Sequence, residues 1–172
     1  LPPLASRSKE KDLMPPAPIL DVTSLDLAKI VVPKEEILAM NPQRHEFEQV
    51  DALVMLDLER MLAVGIKRQR EDEFWVRGHI PGRPLMPGVL MIEMAAQVGS
   101  ALYGKKHGGR EGKFLGFGGV TDVKFRGAVL PGQTLVMVAQ SLVVKPRMGR
   151  FRAQGFVNGA MVFEGQLTAV VL

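Results

Sequence analysis

A chain of 172 residues, 47% of them hydrophobic, can build one sizeable core and is too short for two ordinary domains. Its 22 Lys+Arg against 18 Asp+Glu leave a net charge of +4, which mildly favours an acidic partner. An aromatic content of 6%, with no basic helix, finger spacing or aromatic platform, gives nucleic-acid binding no support, and the absence of cysteine excludes disulfides, thiolate metal sites and thiol nucleophiles.

Leu1 to Asp12 set Arg7, Lys9 and Lys11 beside Glu10 and hold no apolar core of signal-peptide length, so secretion is not expected and a cytoplasmic location is. Pro2, Pro3, Pro15, Pro16 and Pro18 crowd the start of the chain, where no helical or alternating pattern persists. Residues 1–28 therefore read as an extended Pro-rich arm outside the core, and 29–172 as one domain. Pro33, Glu35 and Glu36 form a helix-start signal for a short helix that stops near Asn41-Pro42. The apolar runs Leu53 to Leu58 and Met61 to Ile66, broken at Glu59-Arg60, predict two strands. Lys67 to Glu73 carries both signs of charge and reads as a solvated turn.

Gly88 to Gly104 is the best long helix. It lacks interior proline, is preceded by Pro84 and Pro87 and followed by Gly108 and Gly109, and carries Ala95, Ala96, Gly99, Ser100 and Ala101, small enough for a sheet to approach. From Phe114 onward, segments rich in Val, Phe and Leu are separated by Pro131-Gly132, Pro146 to Gly149 and Asn158-Gly159, which predicts an antiparallel meander. One buried helix against an antiparallel sheet is an α+β architecture. The longest apolar stretches, Ala160 to Phe163 and Leu167 to Leu172, are interrupted by Glu164 and Gly165 and predict no membrane span.

The chemistry concentrates in residues 78–97. Pro81, Pro84 and Pro87 stiffen a loop that holds His79 and delivers the chain into a helix at Gly88. The free N–H groups of that helix start can receive a carbonyl oxygen that is gaining charge, and glycine lets it approach the backbone. Val89, Glu93 and Gln97 share one helix face. A glutamate among Met91, Ile92, Met94, Ala95 and Ala96 is expected to have limited water, which disfavours its ionised form, so it can donate a proton while His79 accepts another. Taken singly, such a histidine is more often structural and such a glutamate solvated; their joint setting points to proton abstraction beside a carbonyl coupled to loss of water.

The stretch from His79 through Pro81, Pro84, Pro87, Gly88, Val89, Leu90 and Glu93 to Gln97, with its fourteen-residue step from histidine to glutamate, resembles the signature of the bacterial 3-hydroxyacyl-acyl-carrier-protein dehydratases of type II fatty acid synthesis. The likeness continues through Lys124 to Gly132 and Gly155 to Gly159 and covers roughly Val50 to Leu172. It implies a hot-dog fold, in which an antiparallel sheet wraps the long helix. It further implies a homodimer, or a trimer of such dimers, whose pockets take the histidine from one subunit and the acid from the other. By analogy His79 removes the C2 proton of a (3R)-hydroxyacyl thioester, Glu93 protonates the departing C3 hydroxyl, the Gly88 N–H holds the thioester oxygen, Val89 lines the substrate, and Gln97 orients Glu93. Glutamate at position 93 is similar to the branch that dehydrates without isomerising. No metal or redox cofactor is implied; the acyl chain rides on the phosphopantetheine of an acyl carrier protein, an acidic partner suited to Lys145, Arg147, Arg150 and Arg152.

Ile80 stands where the family has phenylalanine, Phe74-Trp75-Val76 replaces Pro-Phe-Phe, Ala52 a common arginine and Gln133 a frequent aspartate. The first two bear on pocket shape, the others on packing or assembly. His45 and His107 have no neighbouring ligand spacing, so no metal is expected there. Gly116, Gly118 and Gly119 lack a following Gly-Lys-Ser/Thr and read as a closely packed strand, not a phosphate loop. The rival functions are a hot-dog acyl thioesterase, which would not need this histidine, and a non-catalytic scaffold binding acyl carrier protein.

Overall fold

A computed structural model describes residues 14–108, 114–145 and 147–172. The first half of the Pro-rich arm, with the charged start of the chain, Gly109 after the long helix and Pro146 in the second turn, lie outside the described residues.

Two helices and seven strands follow in order: β1 (Val32–Pro33), α1 (Lys34–Met40), β2 (Ala52–Asp57), β3 (Leu62–Arg68), α2 (Gly88–His107), β4 (Leu115–Phe125), β5 (Thr134–Lys145), β6 (Met148–Val157) and β7 (Ala160–Val171). The strands form one antiparallel sheet in the order β1-β2-β3-β5-β6-β7-β4. Helix α2 lies in the concave face, which makes this the α+β hot-dog arrangement. The β6–β7 turn at Asn158-Gly159 has φ values of 49° and 79°, the left-handed pair that a two-residue hairpin of the favoured twist requires.

The meander expected from Phe114 to the end holds only for β5, β6 and β7. Strand β4 pairs with β7 and closes the far edge, so Pro131-Gly132 ends a crossover and does not turn a hairpin. Close packing holds for Gly118, where a methyl group would stand 3.1 Å from the Thr168 carbonyl oxygen, and for Gly116 beneath Leu172, but not for Gly119, which faces open space. Helix α2 also runs one turn past Gly104, because Lys105, Lys106 and His107 suit the negative helix end and Gly108, at φ 77°, supplies the left-handed cap.

The main core joins α2 to the sheet through Leu90, Met91, Met94, Val98 and Leu102 against Leu53, Leu135, Met137 and Phe151. The small residues of α2 permit that approach; a methyl group at Gly99 would stand 3.3 Å from the Phe151 ring. A second core covers the outer face of the sheet. There Leu62, Val64, Ile66, Val136, Val138 and Phe156 are capped by Ile19, Leu20, Val22, Leu25 and Leu27. The described part of the arm is not extended throughout, because Val22–Ser24 form a single 3-10 turn capped by Asp21, and it is not outside the core. Gln154, 1% exposed on the outer face of β6, receives the Ile19 N–H at 2.7 Å and donates to the Ala17 carbonyl at 3.2 Å. Buried polar groups need partners, and the arm supplies both.

The Lys67 to Glu73 segment is a solvated turn at Arg70, Glu71 and Asp72, but its two ends are not in water. Lys67 and Glu73 are 5% and 7% exposed, and Lys67 Nζ lies 3.3 Å from Glu73 and 3.6 Å from Asp51. Pairing lets these charges leave water, which composition could not show.

Candidate active site

The loop before α2 is fastened by its backbone. The Trp75 carbonyl accepts the N–H groups of Gly78 and His79, at 3.2 and 2.8 Å; Arg83 N–H reaches the Ile80 carbonyl, and Met86 N–H reaches the Val129 carbonyl on the crossover, at 2.8 Å. Trp75 is 3% exposed and anchors the turn in the core, while Phe74 and Ile80 stand in solvent. Ile80 has φ 58°, a conformation costly for a β-branched residue, next to His79 in the chain.

His79 is half-buried, and its Nδ1 lies 2.8 Å from the Leu85 carbonyl oxygen. A carbonyl oxygen can only accept, so Nδ1 carries the hydrogen and the neutral ring presents the lone pair of Nε2. The five residues between His79 and Leu85, stiffened by Pro81 and Pro84, close that bond.

The start of α2 has the form that binding a polarised oxygen requires. Pro87 caps the helix without a side-chain bond, Leu90 N–H folds back to the Pro87 carbonyl, and the Gly88 and Val89 N–H groups have no partner among the described residues. A methyl group at Gly88 would stand 2.8 Å from the Phe125 ring, so glycine permits this close approach. Val89 is 67% exposed at the helix mouth.

Glu93 lies about 7.5 Å further along the axis at 1.5 Å per residue. It is half-buried, and its Oε1 accepts two amide N–H bonds, from Gln97 Nε2 at 2.8 Å and from Gln43 Nε2 at 3.0 Å. Gln97 is buried. Its Nε2 also donates to the Phe47 carbonyl, its Oε1 accepts the Gln49 N–H at 3.0 Å, and its own carbonyl accepts from Asn41 Nδ2 at 3.0 Å. Gln97 is thus fully engaged behind Glu93, with no polar atom turned toward a substrate. Gln43 went unread in the sequence; it lies fifty residues before Glu93, beyond the reach of any local spacing.

The structure therefore brings Glu93 and Gln97 together, and places His79, Gly88 and Val89 on the loop and mouth that precede them. Among the described residues no hydrogen bond joins His79 to Glu93. A small apolar dent of about 20 Å³ lies one turn beyond Glu93, at Ala96, between Leu115, Phe117, Phe151 and Leu167. No cluster of three His, Asp or Glu side chains that could hold a metal occurs among the described residues, and no helix there is long and apolar enough to cross a membrane.

The model of the FabA-like domain matches residues 41–166. The chain is similar to the 3-hydroxyacyl-[acyl-carrier-protein] dehydratase FabZ of Herpetosiphon aurantiacus, 36% identical over 138 residues that cover 80% of this chain and 96% of that one. FabZ of a Hydrogenobaculum species is 36% identical over 135 residues, covering 78% and 90%. Among solved structures, the dehydratase heterocomplex ApeI:P of Xenorhabdus doucetiae superposes with a TM-score of 0.64 over 81% of this chain and 90% of that one, a likeness of fold at 16% identity. With a FabA-like domain over most of its length and FabZ relatives matched nearly end to end, the chain belongs to the 3-hydroxyacyl-[acyl-carrier-protein] dehydratase family.

Proposed function

We propose that this protein is a hydro-lyase that reversibly dehydrates a (3R)-hydroxyacyl thioester of acyl carrier protein to the trans-2-enoyl thioester in fatty acid biosynthesis, with His79 as base and Glu93 as acid. The observation that carries the assignment of roles is the bond from His79 Nδ1 to the Leu85 carbonyl, which leaves Nε2 as the basic atom. Membership of a dehydratase family supports the reaction itself.

Nε2 takes the proton from C2. The electrons of that C–H bond form the C2=C3 double bond, the C3–O bond breaks, and the departing hydroxyl takes the Glu93 proton to leave as water. The ring is then an imidazolium and Glu93 a carboxylate, and one proton returning from the ring to the acid through solvent restores both. The Gly88 N–H, with the positive helix end behind it, stabilises the thioester oxygen as charge develops there. Val89, exposed at the mouth, contacts the thioester end of the substrate. These steps are proton transfers and call for no electron acceptor or metal.

The catalytic unit is residues 29–172, preceded by the arm of residues 1–28, and it acts in the cytoplasm as a homodimer in which each pocket draws His79 from one subunit and Glu93 from the other. The exposed edge strand β4, with Phe117, Val120 and Phe125 uncovered, supports pairing with a second copy. Exposed Lys145, Arg147 and Arg150 at the β5–β6 turn suit an acidic carrier protein, whose phosphopantetheine brings the substrate.

The test is absorbance of the conjugated enoyl thioester after 3-hydroxyacyl-acyl-carrier-protein is added. Its appearance is expected. Free acid without enoyl product would make the protein a thioesterase, and binding without turnover would make it a scaffold.

A further inference from the structure

Among the described residues, the hydrogen bonds from the loop after α1 to α2 gather at Glu93 and Gln97. Asn41, Phe47 and Gln49 each bond to Gln97, and the Arg44 guanidinium reaches back to the carbonyls of Leu38, Asn41 and Gln43, at 3.0, 2.7 and 2.7 Å. Gln43 is thereby held from both sides and delivers its amide to the same oxygen that Gln97 contacts, Glu93 Oε1. The orientation of the Gln97 amide is fixed by its other partners. Its Oε1 accepts the Gln49 N–H, so only its nitrogen can face the glutamate.

We propose that Gln43 is a positioning residue for the elimination, forming with Gln97 a two-amide clamp that occupies Glu93 Oε1 and leaves Oε2 as the oxygen that delivers the proton. The proposal rests on the reading of Glu93 as the acid. A hydrogen on Oε1 would be driven against two N–H donors, so the protonated carboxyl carries its hydrogen on Oε2. Once the proton has gone, the same donors stabilise the carboxylate that remains. The clamp also fixes the carboxyl plane, so that the proton is presented in one direction instead of being spread over both oxygens and several rotamers. The Gln43 Oε1 atom is sealed from solvent and has no hydrogen-bond partner among the described residues, so the bond to Glu93 is the one its amide makes there.

The experiment is a double-mutant cycle on turnover of a 3-hydroxyacyl thioester. Gln43→Met keeps the length of the side chain and removes the donor. It should lower kcat by about ten- to a hundred-fold, the range for one hydrogen bond to a charged group, with KM and the thermal midpoint close to wild type. Gln43→Glu, which sets an acceptor against an acceptor, should lose more. Added to Glu93→Gln, Gln43→Met should change the residual rate no further, because its effect passes through the acid. Wild-type kcat in Gln43→Met, or the same fold-loss with and without Glu93, would overturn the clamp and leave the dehydratase reading intact. Full activity in Glu93→Gln alone would instead remove the acid on which it rests. Should Gln43→Met lower the thermal midpoint, Gln43→Ala replaces it in the cycle, since the half-buried site opens to water.

Discussion

His79 Nδ1 and the Leu85 carbonyl oxygen stand 2.8 Å apart, and that bond settles which face of the imidazole can act as a base. It is closed within one short loop, independently of the bonds that hold Glu93 on α2. His79→Ala and Glu93→Gln should therefore each leave the fold intact while lowering kcat, by about 10²- to 10⁴-fold for loss of a general acid or base. Circular dichroism with steady-state assay of the two variants checks this; near-normal turnover in either would remove that residue from its role.

Lys67 and Glu73 form an ion pair that is almost sealed from water, and its stability cost lies in being broken by halves. Lys67→Met leaves Glu73 with only the exposed Arg70, 3.9 Å away, for compensation. It should cost about 3 kcal/mol, a drop of roughly 6–12 °C in midpoint for a chain of this size. Replacing both partners by methionine should recover most of that loss. A single variant as stable as wild type in thermal denaturation would mean that the pair is solvated after all.

What could be read in advance divides by range. The helix start at Gly88 and the β6–β7 hairpin at Asn158-Gly159 are local, and both were legible from proline and glycine punctuation and turn chemistry. Strand β4 was legible as a strand but not as an edge, because nothing in Pro131-Gly132 distinguishes a crossover from a hairpin. The runs Leu62 to Ile66 and Leu135 to Ala139 are apolar without alternation, the pattern of strands covered on both faces. That pattern says a second cover exists without saying that residues 19–27 provide it. Lys67 and Gln43 were illegible for the same reason: their partners lie in other elements, and a charge or an amide has no periodicity that announces a distant mate.

The arm can be tested at Gln154, whose buried side chain hydrogen-bonds to Ala17 and Ile19. Gln154→Leu deletes both bonds and should cost about 1–3 kcal/mol, at 0.5–1.5 kcal/mol for each net hydrogen bond. The loss should appear first as local opening, with faster hydrogen exchange at the Ile19 amide and faster proteolysis within residues 14–28, ahead of any change at α2. Unchanged exchange at Ile19 would show that the apolar contacts of Leu20, Val22, Leu25 and Leu27 hold the arm without the glutamine.

The origin of the two groups proposed for each pocket is open to a mixing experiment, because His79 and Glu93 share no hydrogen bond among the described residues and the proposal draws them from different subunits. In a dimer built from one His79→Ala chain and one Glu93→Gln chain, a shared-pocket arrangement leaves one pocket with both substitutions and the other with neither. Random re-pairing of equal amounts makes half the molecules mixed, each with one of its two sites whole, so activity should return to about a quarter of wild type from two inactive parents. If each pocket were built within a single chain, every pocket in the mixture would lack one group and no activity would return. Co-expression of the two chains with distinct affinity tags isolates the mixed dimer, where the expected activity rises to about half that of wild type.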